Sequence, residues 1–148
     1  MNKIIWKYAE DPVEEKAVKK TEELLGVRLP DDFKKIATEN DCGIPRPGRY
    51  YLDGGVMVFG QLFSLDSNRD NNIVEATRIG RSEHGMSDSI IVFADDPAGN
   101  FLCFDYGQLH DGYPTIIFWD HEIEGGDPEK ICNTFTELIN MFHDDDED

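Results

Sequence analysis

Basic residues are scarce in this 148-residue chain: 14 Lys and Arg stand against 31 Asp and Glu, for a formal charge of -17. Nucleic acid and anionic membranes, which bind clustered cations, are therefore not expected as partners. Cysteine is also sparse. Cys42, Cys103 and Cys132 are odd in number, widely spaced and free of any C-x-x-C pair, so neither a disulfide framework nor a zinc site is expected. They read as reduced, buried small hydrophobes. No apolar run reaches the roughly 20 residues of a membrane span. Met1-Asn2-Lys3-Ile4-Ile5-Trp6 lacks the apolar core of a signal peptide, so a cytosolic, cytoplasmic location is expected. No G-x-S-x-G, phosphate loop or familiar Cys and His pairing is present.

What is present suits one domain, residues 1–143, followed by an acidic tail, 144–148, read as a solvated and frayed end. With 39% hydrophobic residues, a chain of this length can bury roughly 70% of its unfolded surface. The chain is organised around Ile90 to Glu122. Two β-branched and aromatic runs, Ile90 to Ala94 and Phe101 to Asp105, flank the turn-forming stretch Asp95-Asp96-Pro97-Ala98-Gly99-Asn100 and predict a hairpin. The first run is apolar at successive positions, so it should be covered on both faces. Thr115 to Trp119 supplies a third strand. All three runs end in acids: Asp95 with Asp96, Asp105, and Asp120 with Glu122. Neighbouring strands would gather some of these carboxylates at one rim of the sheet beside Trp119, a surface suited to a partner.

Around this block, Asp11-Pro12-Val13-Glu14 has the pattern of a capped helix start, with Val13, Ala17, Thr21 and Leu24 on one face and Gly26 as the stop. Leu29-Pro30-Asp31-Asp32 opens a second helix that buries Phe33, Ile36 and Ala37 and ends near Asn40-Asp41-Cys42-Gly43. Ile44 to Arg49 reads as a connection. Tyr50 to Leu52 and Val56 to Phe59 bracket Asp53-Gly54-Gly55 as a second hairpin, and Leu62 to Leu65 can extend the sheet. Asn71 to Ile79 reads as a helix and Arg81 to Ser89 as a loop. Asp127-Pro128-Glu129 is read as opening a final helix bearing Ile131, Phe135, Leu138, Ile139 and Phe142.

Metal chemistry is poorly supported. Asp66-Ser67-Asn68-Arg69-Asp70 resembles the start of a calcium loop, but Asn71 replaces the glycine and Thr77 the final glutamate. Asp120-His121-Glu122 offers three ligands in a row, yet neighbours on an extended segment face opposite ways, so a polar strand end is the better reading. His84, His110 and His143 read as surface histidines. No metal or other cofactor is expected.

The residues also carry a family resemblance. Leu24-Leu25-Gly26-Val27-Arg28-Leu29-Pro30-Asp31-Asp32-Phe33, the turn at Asn40 to Gly43, the block Val92 to Asp105, and Pro114 to Glu122 followed by a helix ending Phe135 to Ile139 occur in the order of the SUKH superfamily. The chain resembles that group, named partly for the fungal Smi and Knr cell-wall regulators, over roughly residues 12 to 142. One departure is Asp41-Cys42-Gly43, where the family often has Asn-Gly-Gly. The resemblance implies an α+β fold: a twisted, largely antiparallel sheet with an N-terminal helix pair and a C-terminal helix packed on it. It also implies a non-enzymatic role. Many bacterial members resemble immunity proteins that bind and block a toxin domain, often a nuclease, which would be basic; fungal relatives suggest a regulatory scaffold for an endogenous protein instead. Asp95, Asp96, Asp105, Asp120 and Glu122 are the candidates for charge complementarity, and Tyr106 and Trp119 for aromatic anchors. Each has a structural alternative: Trp119 reads equally as core, and Asp95, Asp96 and Asn100 equally as turn formers.

Overall fold

The computed structural model describes residues 3–122 and 128–144. In chain order they form β1 (Ile5–Lys7), α1 (Glu15–Leu25), α2 (Asp31–Glu39), β2 (Ile44–Arg46), β3 (Arg49–Leu52), β4 (Gly55–Val58), α3 (Ile73–His84), β5 (Ile90–Asp95), β6 (Phe101–His110), β7 (Tyr113–Trp119), β8 (Glu129–Cys132) and α4 (Phe135–Met141). The central sheet is antiparallel in the order β5-β6-β7-β8, and two smaller antiparallel pairs, β1-β2 and β3-β4, flank it. This is an α+β architecture.

Side chains alternate across a strand, so the unbroken apolar runs fill both faces of the sheet. Ile91, Phe93, Leu102, Phe104 and Ile116 meet Phe33 of α2 and Phe135 and Leu138 of α4 in the larger core. On the opposite face, Ile90, Val92, Cys103, Ile117 and Trp119 pack with Met86 and with Ala76 of α3. The expected coverage of both faces is what the structure has. The Leu62 to Leu65 segment does extend the sheet, through a bridge from Leu62 to Ala94 and a 3.0 Å bond from Phe63 N to Phe93 O.

One carboxylate ties three elements of this core together. Asp32, in the first turn of α2, accepts from Tyr113 Oη at 2.5 Å on β7, and from Thr136 N at 3.0 Å and Thr136 Oγ1 at 2.8 Å on α4. Tyr113 Oη in turn accepts from Phe135 N at 2.9 Å. Losing one partner of these partly buried bonds leaves the other to water or unsatisfied, so Asp32→Ala should cost about 2 kcal/mol and Tyr113→Phe about 1 kcal/mol. Urea unfolding of both variants and their double mutant should show a clearly non-additive pair; full additivity would mean that the two groups do not act through one another.

Several local expectations are corrected. The final helix begins at Phe135, and Glu129 to Cys132 is a strand. Thr134 caps α4 by accepting from Glu137 N at 3.0 Å while Glu137 reaches back to accept from Asn133 N at 2.8 Å, and the two bonds fix the start there. Asp127 lies outside the described residues. At the other end of the chain, Asp11 caps nothing. Arg69 holds the carbonyls of Asp11 and Pro12, and Val13 N bonds Thr38 O at 2.9 Å, so this stretch runs into α1 non-helically and the helix starts at Glu15. Leu24 is 56% exposed because the inner face of α1 runs through Val18 and Thr21; Thr21 Oγ1 donates to Leu65 O at 2.6 Å. Ile44–Arg46 is a strand paired with β1, and α3 runs on to His84 from an Asn72 cap that accepts from Glu75 N. His143 is buried at 8% exposure and stacks on Tyr51 at 4.6 Å.

Candidate functional site

The strand register sorts the acids to two places. Asp95 pairs with Phe101, and Phe101 with Trp119, so Asp95, Asp96, Trp119, Asp120 and Glu122 share one end of the sheet. Asp105 pairs with Ile90 and Thr115 instead. Four residues along β6, it and Tyr106 stand about 13 Å from that end. A single rim carrying all the acids does not form, because an antiparallel neighbour starts where its partner stops.

Each side chain has its own local task. Asp96, 8% exposed, accepts from Ala98 N at 2.9 Å, Asn100 N at 2.9 Å and Asn100 Nδ2 at 3.1 Å, and so closes the β5–β6 turn with Gly99 at φ +87°. Asn100 Oδ1 then accepts from His121 N at 3.1 Å and lies 2.7 Å from His121 Nδ1, tying that turn to the end of β7. Trp119 is 7% exposed in the core beneath α3, and Tyr106 donates from its half-buried hydroxyl to Arg28 O at 2.8 Å. Asp105 accepts from Gly107 N at 2.9 Å. Asp120 is half-buried and accepts from Glu122 N at 2.9 Å, while Glu122 is exposed. Across from Phe118 in β8 lies Glu129, also exposed, which joins Asp120 and Glu122 at this end. Reading Glu129 as helical had hidden it.

Asp95 is half-buried and accepts from Gln61 N at 2.9 Å. The approach is close because position 60 is glycine: a Cβ there would sit 2.5 Å from the Asp95 carboxylate. Burial pushes the Asp95 carboxyl above its ordinary value of 3.8, partly opposed by the Gln61 bond. A raised carboxyl favours the protonated form in the fold, so ionisation erodes stability as pH rises from the unfolded value through the folded one. Asp95→Asn retains a carbonyl oxygen for Gln61 and should be more stable than the parent at neutral pH, with the gain vanishing below about pH 4. Thermal melts from acid to neutral pH test this; a gain independent of pH would refute it.

Among the described residues no three His, Cys, Asp or Glu side chains are grouped to hold an ion. In the segment that resembles a calcium loop, Asp66 accepts from Asn68 N at 2.9 Å and pairs with Arg69 at 3.6 Å. Burial lifts the Cys42 thiol to about 11 and the Cys132 thiol to about 12, leaving little thiolate at neutral pH. Among the described residues no helix is long and apolar enough to cross a membrane.

The sequence holds a signal finer than its total charge. Residues 82–148 contain 17 acids and one cation, Lys130, a balance of -16, whereas residues 1–81 contain 14 acids and 13 cations, a balance of -1. The excess therefore belongs to residues 82–148, which include β5 to β8 and α4.

Residues 12–141 match the SMI1 / KNR4 family (SUKH-1). The chain belongs to this family. No curated protein matches it significantly. The match covers every element from α1 to α4, so the central sheet and the helices on both its faces are the SUKH-1 domain itself.

Proposed function

We propose that this SUKH-1 protein is a non-enzymatic, cytoplasmic immunity protein that binds a cognate toxin domain with a basic surface, a nuclease in the first instance, and blocks it. The carrying observation is the concentration of the charge, -16 of -17, in residues 82–148. A nuclease must present cations to phosphates, and an acidic surface answers the same field. Such a field raises encounter rates by a factor on the order of 10 to 1,000 at low salt and discriminates against acidic partners. Family membership is compatible with this role.

Within that half, Asp120, Glu122 and Glu129 are the carboxylates assigned to contact. Asp95 and Asp105 add to the field from more engaged positions. Asp96 holds the turn and Trp119 the core beneath this surface, while Tyr106 holds the α1–α2 connection away from it, so all three are assigned to shape. The test is charge reversal, Asp120→Lys with Glu122→Lys, measured against a basic nuclease toxin domain. Affinity at low salt should fall at least tenfold, chiefly through the association rate, with circular dichroism and melting temperature preserved. Unchanged low-salt affinity would remove these residues from the interface. Stable binding to an endogenous housekeeping protein but to no toxin would favour the regulatory scaffold.

A further inference from the structure

His121 lies between Asp120 and Glu122, and its surroundings decide which ring nitrogen carries the proton. Asn100 is the deciding residue. Its Oδ1 faces the backbone N–H of His121 at 3.1 Å, an obligatory donor, while its Nδ2 faces the Asp96 carboxylate at 3.1 Å, an acceptor. One orientation of the amide satisfies both. The same Oδ1 lies 2.7 Å from His121 Nδ1, and an amide oxygen can only accept, so Nδ1 must be the donor. The neutral ring therefore carries its lone pair at Nε2.

The ring is held as well as oriented. A Cβ added at Gly99 would stand 3.6 Å from its Cε1 and 3.9 Å from its Nε2, so the glycine of the β5–β6 turn passes against the imidazole. His121 is half-buried, yet its Nε2 is not among the buried atoms and bonds nothing among the described residues. An accessible neutral acceptor is thus fixed among carboxylates: Asp95 and Asp96 at the end of β5, Asp120 and Glu122 on either side in the chain, and Glu129 of β8. Lys130 of β8 stands opposite Ile117, and the ring of His84 at the end of α3 packs on Phe101 at 5.4 Å. These are the other titratable groups at this end. Carboxylates attract a cation from many directions and keep their charge at neutral pH. An imidazole lone pair is directional, and histidine changes charge between about pH 5 and pH 8.

We propose that His121 is a directional contact of the acidic end: Asn100 holds its Nδ1 proton, and its Nε2 accepts an N–H from a lysine or arginine of the basic partner. In acid the ring takes a proton from water at Nε2. It then loses the acceptor and turns a positive charge toward a cation, so the contact is switched off while the carboxylates stay ionised. Asn100 is the positioning residue, and Asp96 fixes Asn100 in turn. The inference rests on the reading of a basic partner and names the donor that this partner supplies.

The first measurement takes the full-length protein with nitrogen-15-labelled histidine and no partner. Near pH 8 the ring spectrum should show His121 protonated at Nδ1, and Asn100→Ala should shift the proton toward Nε2. The second takes a synthetic peptide of alternating arginine and glycine at low salt. His121→Gln keeps an acceptor near the Nε2 position without titrating, whereas His121→Ala removes it, and all three proteins carry the same charge near pH 8. There the glutamine variant should bind as the parent does and the alanine variant about fivefold more weakly. On going to about pH 5 the parent should lose about tenfold more affinity than the glutamine variant. These two variants suffice if Asn100→Ala is unfolded. A proton at Nε2 in the free parent, equal binding of the glutamine and alanine variants near pH 8, or the same pH dependence in parent and glutamine variant would overturn the contact while leaving the basic-partner reading intact. No binding of the arginine peptide, or equal binding of a peptide with glutamate in place of arginine, would overturn both.

Discussion

Replacing Asp41 with alanine should destabilise the protein by about 3 kcal/mol, near the lower end of the range for breaking a buried ion pair from one side. The carboxylate is 1% exposed and fully engaged: it accepts from Ser64 Oγ at 2.6 Å, Leu65 N at 2.9 Å and Arg69 Nη1 at 2.9 Å. Arg69 extends the network to Asp11 O at 2.6 Å, so one acid joins the end of α2, the loop before α3 and the approach to α1. Alanine would leave the buried Leu65 N–H without an acceptor and the Ser64 hydroxyl with the distant Asp66 O, at 3.5 Å. The lower end applies because the Arg69 side chain keeps 29% exposure, and water can compensate part of its charge. Arg69→Met leaves Asp41 charged and unpaired, and should be harmful too. The double variant removes both charges and should cost less than the sum of the two single changes. Urea denaturation measures all three; an Asp41→Ala loss under about 1 kcal/mol would mean that the network is replaceable by water.

That network shows what the sequence could and could not display. The central block was legible because its signals are local: consecutive apolar residues demand two covered faces, and Asp96 to Asn100 is turn chemistry whatever surrounds it. Phe33 and Ala37 were legible for the same reason, as one face of one helix. Asp41 was not, since its acceptor role depends on Ser64, Leu65 and Arg69, more than 20 positions away. The departure at Asp41-Cys42-Gly43 was visible, but not that the acid turns inward while Cys42 takes φ +61°.

Misreadings came from patterns that two structures share. Ile131 falls in helical step with Phe135 and Leu138, yet it can equally end a strand; the decisive signal was Thr134-Phe135-Thr136-Glu137, a capping sequence placed after it. Similarly, Leu24 matched the helical spacing of Val13, Ala17 and Thr21, but a strip drawn from Val13 assumed that the helix had already begun. For the candidate site, residue type identified the acids and strand register sorted them. Asp105 could be separated from Asp120 and Glu122 once β6 was known to run antiparallel to both neighbours.

Phe33→Ala should be the most damaging single apolar change, costing about 3–5 kcal/mol. Its ring is fully buried and stands edge-on to three others, at 5.1 Å from Phe104, 5.1 Å from Phe135 and 5.4 Å from Phe93. It is therefore the point where α2, α4 and two strands of the sheet meet. Removing it takes away both the transfer free energy of a phenyl ring and the edge-to-face contacts, and the rigid strands behind it can close the resulting cavity only in part. Phe33→Leu retains most of the volume and should recover a large share of the loss. Leu24→Ala, on the exposed side of α1, should stay within about 0.5 kcal/mol of the parent. On the proposed reading, the Phe33 variant below its lowered melting temperature should bind a basic toxin domain as the parent does, because Asp120, Glu122 and Glu129 lie outside this aromatic cluster. Equal stability losses at Phe33 and Leu24 would mean that α2 is not docked on the sheet as described. A binding loss that persists where the Phe33 variant is fully folded would instead place the interface on the α2 side of the sheet, away from the acidic end.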